Sequence, residues 1–209
     1  MSTLSEQLDT AIVNHDLEQC HHLLLQKADP NTPNRDGLRP LHMAISEISV
    51  GGPLKSVELL LQFGADPNAW DEGHNETPIL SASDPLGFDT WDAARVLLEH
   101  GADPNVRRSD GESPLRLAAA NNKLDLATLL LEYGAAQTID DFGGDWTWTA
   151  LGHAAHNANR PMIELLLRAG ARIDQEDDFG DLPFEKLPRK SMDPALWEEL
   201  YKLLYSQKR

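Results

Sequence analysis

Leu59-Leu60-Leu61-Gln62-Phe63-Gly64-Ala65-Asp66-Pro67-Asn68 is the stretch that decides the fold. An apolar triplet closes a helix, and Gly64 follows where a left-handed conformation is cheap for glycine alone. The phrase recurs as Leu23-Leu24-Leu25 with Ala28-Asp29-Pro30-Asn31, and as Val96-Leu97-Leu98 with Gly101-Ala102-Asp103-Pro104-Asn105. Two shorter copies are Leu129-Leu130-Leu131 with Gly134-Ala135-Ala136 and Leu165-Leu166-Leu167 with Gly170-Ala171. The alanines at 28, 65, 102, 135 and 171 are spaced by 37, 37, 33 and 36 residues. A period of that size means stacked supersecondary units that share one continuous core.

A second phrase sits between the triplets: Arg39-Pro40-Leu41-His42-Met43-Ala44, Thr77-Pro78-Ile79, Ser113-Pro114-Leu115-Arg116-Leu117-Ala118-Ala119 and Thr149-Ala150-Leu151-Gly152-His153-Ala154-Ala155. Thr or Ser caps a helix start, and proline suits the first helical position, where its missing N–H would be unpaired anyway. The alanines make a thin helix against which a neighbour packs closely. The leucine triplet belongs to a second, bulkier helix.

These residues resemble the ankyrin repeat, a finger followed by two antiparallel helices, and the resemblance covers nearly the whole chain. The expected fold is an all-α repeat solenoid in a single domain over residues 1–209. A terminal helix pair spans 4–31, and four full repeats span 34–68, 71–105, 108–138 and 141–174. A degenerate closing unit spans 177–209, since end repeats must present a polar outer face. Its helix is predicted from Pro194 onward, with Leu196, Leu200, Leu203 and Leu204 on one face. His42 resembles the family's structural histidine, which bridges neighbouring fingers.

Departures from the period point to candidate binding elements, because solenoid insertions map to loops on one face. The loop around Gly51-Gly52 and the loop Asp84–Thr90 are lengthened, and the fourth finger gains residues around Trp146-Thr147-Trp148. Two tryptophans flanking one residue share a side of an extended segment, and Trp is enriched among residues that dominate binding energy. Packing against neighbouring fingers is the competing account of both rings. The resemblance implies that fingers and first helices line a concave face. The partner-binding candidates on it are Asp36 and Glu47 in the first repeat, and Glu72, His74, Glu76 and Asp84 in the second. The third repeat supplies Asp110, Glu112 and Asn121, and the fourth supplies Asp145, Trp146, Trp148, His156 and Asn157.

Asp and Glu total 34 against 18 Lys and Arg, a formal net charge of −16. That balance opposes DNA, RNA or an anionic membrane as the main partner and favours a basic protein surface. An acidic surface also simply keeps a protein apart from its neighbours. Cys20 is the only cysteine, which excludes an internal disulfide framework and suits a reducing compartment. No secretory leader and no apolar run of about 18 residues is present, so a cytoplasmic location is expected.

No catalytic, cofactor or metal site is expected. Phosphate-loop and nucleophile-elbow patterns are missing. His153 and His156 are three apart on a helix, which suits a shared metal, but a structural His153 and a groove-facing His156 fit the repeat better. Side chains of Cys20, His21 and His22 diverge by about 100° per residue and do not converge on one ion. The expectation is a non-catalytic protein-binding module, monomeric when free. Its compact acidic form resembles immunity proteins that neutralise toxins. The alternative is an intracellular adaptor or enzyme inhibitor in signalling.

Overall fold

A computed structural model describes residues 2–73, 75–83, 90–144 and 147–205. Eleven α-helices are described: α1 (Leu4–Val13), α2 (Leu17–Leu25), α3 (Pro40–Ile48), α4 (Leu54–Gln62), α5 (Pro78–Ser83), α6 (Trp91–Glu99), α7 (Pro114–Ala120), α8 (Leu124–Glu132), α9 (Ala150–His156), α10 (Arg160–Arg168) and α11 (Pro194–Tyr205). Among the described residues there is no strand. Phe142 and Thr149 form one isolated antiparallel bridge across the fourth finger. His74, Asp84, Asp145 and Trp146 lie outside the described residues, as does most of the lengthened loop before Thr90.

The chain divides into two compact units, Met1–Asp103 and Pro104–Arg209. In the first, α1 packs on α2 and α3, α3 on α4 and α5, and α6 on α4 and α5. Helix α1 starts on a reciprocal cap, in which the Thr3 hydroxyl accepts from Glu6 N–H and the Glu6 carboxylate accepts from Thr3 N–H. The core is built from the triplets and the thin-helix positions: Leu23, Leu24, Leu41, Ile45, Leu60, Leu80 and Leu97 are all buried. Asn31 and Asn68 tie successive repeats together. The Asn31 side chain donates to Gly64 O at 2.8 Å and accepts from Asp66 N at 2.8 Å. Asn68 repeats the pattern with Gly101 O at 2.9 Å and Asp103 N at 2.8 Å.

In the second unit α7 packs on α8 and α9, and α10 on α8 and α9. Alanines 118, 119, 154 and 155 are fully buried, so the first helices approach closely. Asn105 donates to Gly134 O at 3.0 Å, continuing the asparagine pattern. A 3-10 turn (Pro183–Lys186) rests on α9 and α11, and Leu200 and Leu204 seal that end while Leu196 and Leu203 stay half-buried.

Candidate functional site

In the first unit the first two fingers touch. Glu72 N–H donates to Gly37 O at 3.1 Å, and a Cβ on Gly37 would sit 2.9 Å from Glu72 Cβ. With φ at +80° and no room for a side chain, position 37 requires glycine twice over. This contact sets the exposed carboxylates of Asp36 and Glu72 on adjoining fingers. Glu76 and Glu47 are half-buried and engaged: Glu76 accepts from Ser81 Oγ at 2.6 Å, and Glu47 pairs with His15 Nε2 at 2.9 Å.

In the second unit the third and fourth fingers touch through Gly144 N–H donating to Asp110 O at 2.8 Å. Asp110 is exposed, and its carboxylate accepts from Glu112 N–H at 3.0 Å. Glu112 turns inward to an ion pair with Arg116, which is only 1% exposed. Arg116 Nε donates to Trp148 O at 2.7 Å. Arg116 stands at the signature position held by His42 in the first repeat, whose Nε2 bonds Glu76 O at 3.0 Å. Both side chains thus hold the following finger by a carbonyl. Burial pulls His42 below the ordinary histidine range, against the opposing charge of Asp71.

Trp148 is half-buried, with its ring 5.2 Å from His153 and 4.8 Å from His156. Gly152 makes the room, since a Cβ there would come within 3.3 Å of Trp148 Cβ. Lys186 Nζ lies 5.2 Å from the Trp148 ring and 6.0 Å from the Phe179 ring, while pairing with Asp177 at 2.6 Å and Asp181 at 2.7 Å. Burial pulls Lys186 and Asp177 toward neutrality, but their mutual hydrogen bond prevails and both are held in the charged form. His153 is pushed down to about 3 by burial, then by the charges of Arg116 and His156, so it is neutral. Thr147 has φ +51°, a left-handed conformation, so the backbone is not extended at that residue. His156 is exposed, whereas Asn157 donates to Ala120 O at 3.0 Å and Asn121 to Leu117 O at 2.8 Å.

One feature escaped the sequence reading. Phe142 and Phe179 are both exposed, Phe179 by 71%. Their signal is Asp-Phe-Gly at 141–143 and again at 178–180. Among the described residues no group of three or more His, Cys, Asp or Glu side chains is placed to hold a metal, and no helix is long and apolar enough to cross a membrane.

Repeated fingers and helix pairs, coupled to their neighbours by side-chain-to-backbone bonds, define a helical-repeat solenoid. The chain belongs to the ankyrin repeat family, whose pattern matches residues 8–108 and 86–177. It is 31% identical over 152 residues to the E3 ubiquitin-protein ligase KEG of Arabidopsis thaliana, 70% of this chain and 9% of that protein. It is 32% identical over 195 residues to ankyrin repeat and SOCS box protein 16 of Homo sapiens, 86% and 39% respectively. To cyclin-dependent kinase 4 inhibitor B of Rattus norvegicus it is 34% identical over 123 residues, 59% of this chain and 88% of the inhibitor. The chain spans less than a third of the length of the first curated relatives it matches. A crystal structure of an ankyrin repeat protein, EF0377, superposes with a TM-score of 0.78 at 22% identity, covering 97% of this chain and 98% of that one. Ankyrin repeats are in general non-catalytic modules that bind other proteins.

Proposed function

We propose that this chain binds a protein partner of basic surface through the acidic tips of its fingers, and that binding silences the partner, as an immunity protein silences a toxin. The observation that carries the reading is the placement of Asp36 and Glu72 in the first unit. Each is exposed at a finger tip, and adjoining fingers hold Asp36 beside Glu72. Their backbones are fixed by finger-to-finger hydrogen bonds, so the carboxylates are presented with little ordering cost. The overall charge of −16 adds long-range attraction for a cationic partner. A second reading, inhibition of a signalling enzyme within the cell, is favoured by the likeness to the kinase inhibitor over 88% of that protein's length.

The test is association kinetics with the partner recovered by affinity capture. Asp36→Lys with Glu72→Lys should slow association at least about tenfold at low salt and flatten its salt dependence, because exposed charges are screened beyond about 8 Å at physiological ionic strength. An association rate indifferent to both substitutions and to salt rejects the electrostatic reading. Co-expression with the partner separates the two roles: relief of a growth defect supports an antidote, and altered enzyme activity without toxicity supports signalling control.

A further inference from the structure

We propose that this protein pairs with a second copy of itself through its closing unit, Phe179 of each copy entering a cleft beside α11 of the other while Asp178 pairs with Arg189. The cleft has a volume of about 280 Å³ and lies wholly within the second unit. Pro188, Met192, Leu196, Trp197 and Leu200 give it apolar walls, and Met192 is 77% exposed. Trp197 is fixed by stacking on Tyr201 at 4.8 Å, so that wall is preformed. Clefts for whole organic ligands run from about 300 to 1,000 Å³, so this one is sized for a single apolar side chain.

Charge selects the guest. Two charged residues line the cleft, Arg189 and Asp193. The Asp193 carboxylate is spent on capping α11, where it accepts from Leu196 N–H at 3.0 Å. The exposed Arg189 guanidinium has no ion pair or hydrogen bond among the described residues, in a chain with 34 Asp and Glu. The matching guest is an apolar side chain with a carboxylate beside it, and the chain carries that pair itself. Phe179 is 71% exposed, so it is not seated in the cleft of its own copy. Asp178 next to it is exposed and unpaired among the described residues. Phe142 in the other Asp-Phe-Gly fits less well, being 39% exposed with Asp141 held by Arg107. A net charge of −16 opposes self-association, but residues 186–209 hold six Lys and Arg against three Asp and Glu, so a second copy is best tolerated at this end. Aromatic, Met and Arg side chains are the types enriched in interface cores. A two-fold axis doubles the contact, since each copy gives one Phe179 and takes one.

The pairing replaces the monomer expected of the free chain and is independent of the finger-tip reading. Analytical ultracentrifugation of the full chain over about 1–300 μM covers the range in which a weak interface shows itself. The mass should rise from 23.2 kDa to twice that value and stop there, as a closed two-fold pair requires. Phe179→Ser, Asp178→Arg and Arg189→Asp should each weaken pairing at least about tenfold, a loss of about 1.4 kcal/mol. All three positions are exposed, so the variants should keep the wild-type melting temperature. The double variant Asp178→Arg with Arg189→Asp rebuilds the ion pair with its signs exchanged and should restore pairing to within about threefold of the wild type. A wild type that stays monomeric throughout, a mass that keeps growing with concentration, pairing indifferent to Phe179→Ser, or a charge exchange no better than its single variants overturns the proposal.

Discussion

Glu112 is a partner-binding candidate by sequence and half of a buried ion pair in the structure, and one mutant cycle separates the roles. Arg116→Met removes the guanidinium while keeping an unbranched side chain of comparable reach. It strands the Glu112 carboxylate, whose side chain is 14% exposed, and deletes the Nε bond to Trp148 O. Breaking a buried pair by removing one partner costs about 3–5 kcal/mol. For a unit whose total stability is of order 5–15 kcal/mol, that is a large fraction. Adding Glu112→Leu removes the stranded charge and should recover about 2 kcal/mol, leaving the unbonded Trp148 carbonyl as the residual defect. Urea unfolding of the wild type, both single variants and the double variant gives the coupling energy directly, with constant m-values confirming that compactness is unchanged. If the double variant is no more stable than Arg116→Met, the ion pair does not hold this finger and the argument fails. If Glu112→Leu alone is harmless to stability yet abolishes partner binding, Glu112 faces the partner instead.

His153 makes the second unit acid-sensitive. Its folded pKa of about 3 lies below the ordinary 6.5, so the unfolded chain takes up a proton that the folded one refuses. Stability is complete above pH 6.5 and is lost as pH falls through the window from 6.5 to 3, by about 2 kcal/mol at pH 5. His153→Gln should flatten the pH dependence of the unfolding midpoint between pH 5 and 6.5, and unchanged slopes would refute the assignment. Asn68→Ala should cost about 1–3 kcal/mol in urea unfolding, since it deletes the bonds to Gly101 O and Asp103 N. A loss below about 0.5 kcal/mol would mean water replaces both bonds freely.

The repeat architecture is legible in the chain because its signals are local. Leu59–Asn68 carries its own helix end and glycine turn within ten residues, and five copies of a pattern reinforce each other. Site residues are read less well because their fate depends on partners a repeat away. Glu112 looks like any finger carboxylate until Arg116 is known to be buried beneath it. Arg116 could have been suspected, since it occupies the signature position of His42 and a charged group there must find an acceptor. Trp148 is surrounded by His153, His156 and Lys186, and Lys186 comes from a closing unit whose register is irregular. Thr147 at positive φ is invisible to an alternation rule that assumes an extended backbone.

Cys20, buried on α2 at 2% exposure, makes that terminal pair chemically readable. Burial, then the charge of Asp16, raises its thiol to about 11, from an ordinary 9.0. At pH 8 the closed protein holds about one thiolate per thousand molecules, against about one in ten for a free thiol of that ordinary value, and the sulfur is shielded as well. A disulfide reagent therefore reacts when the helix pair swings open, and the slowing relative to a short peptide gives the free energy of that opening. The lone thiol is thus a clock for that end of the chain, wound by the packing of Leu23 and Leu24 beside it and read without any added label.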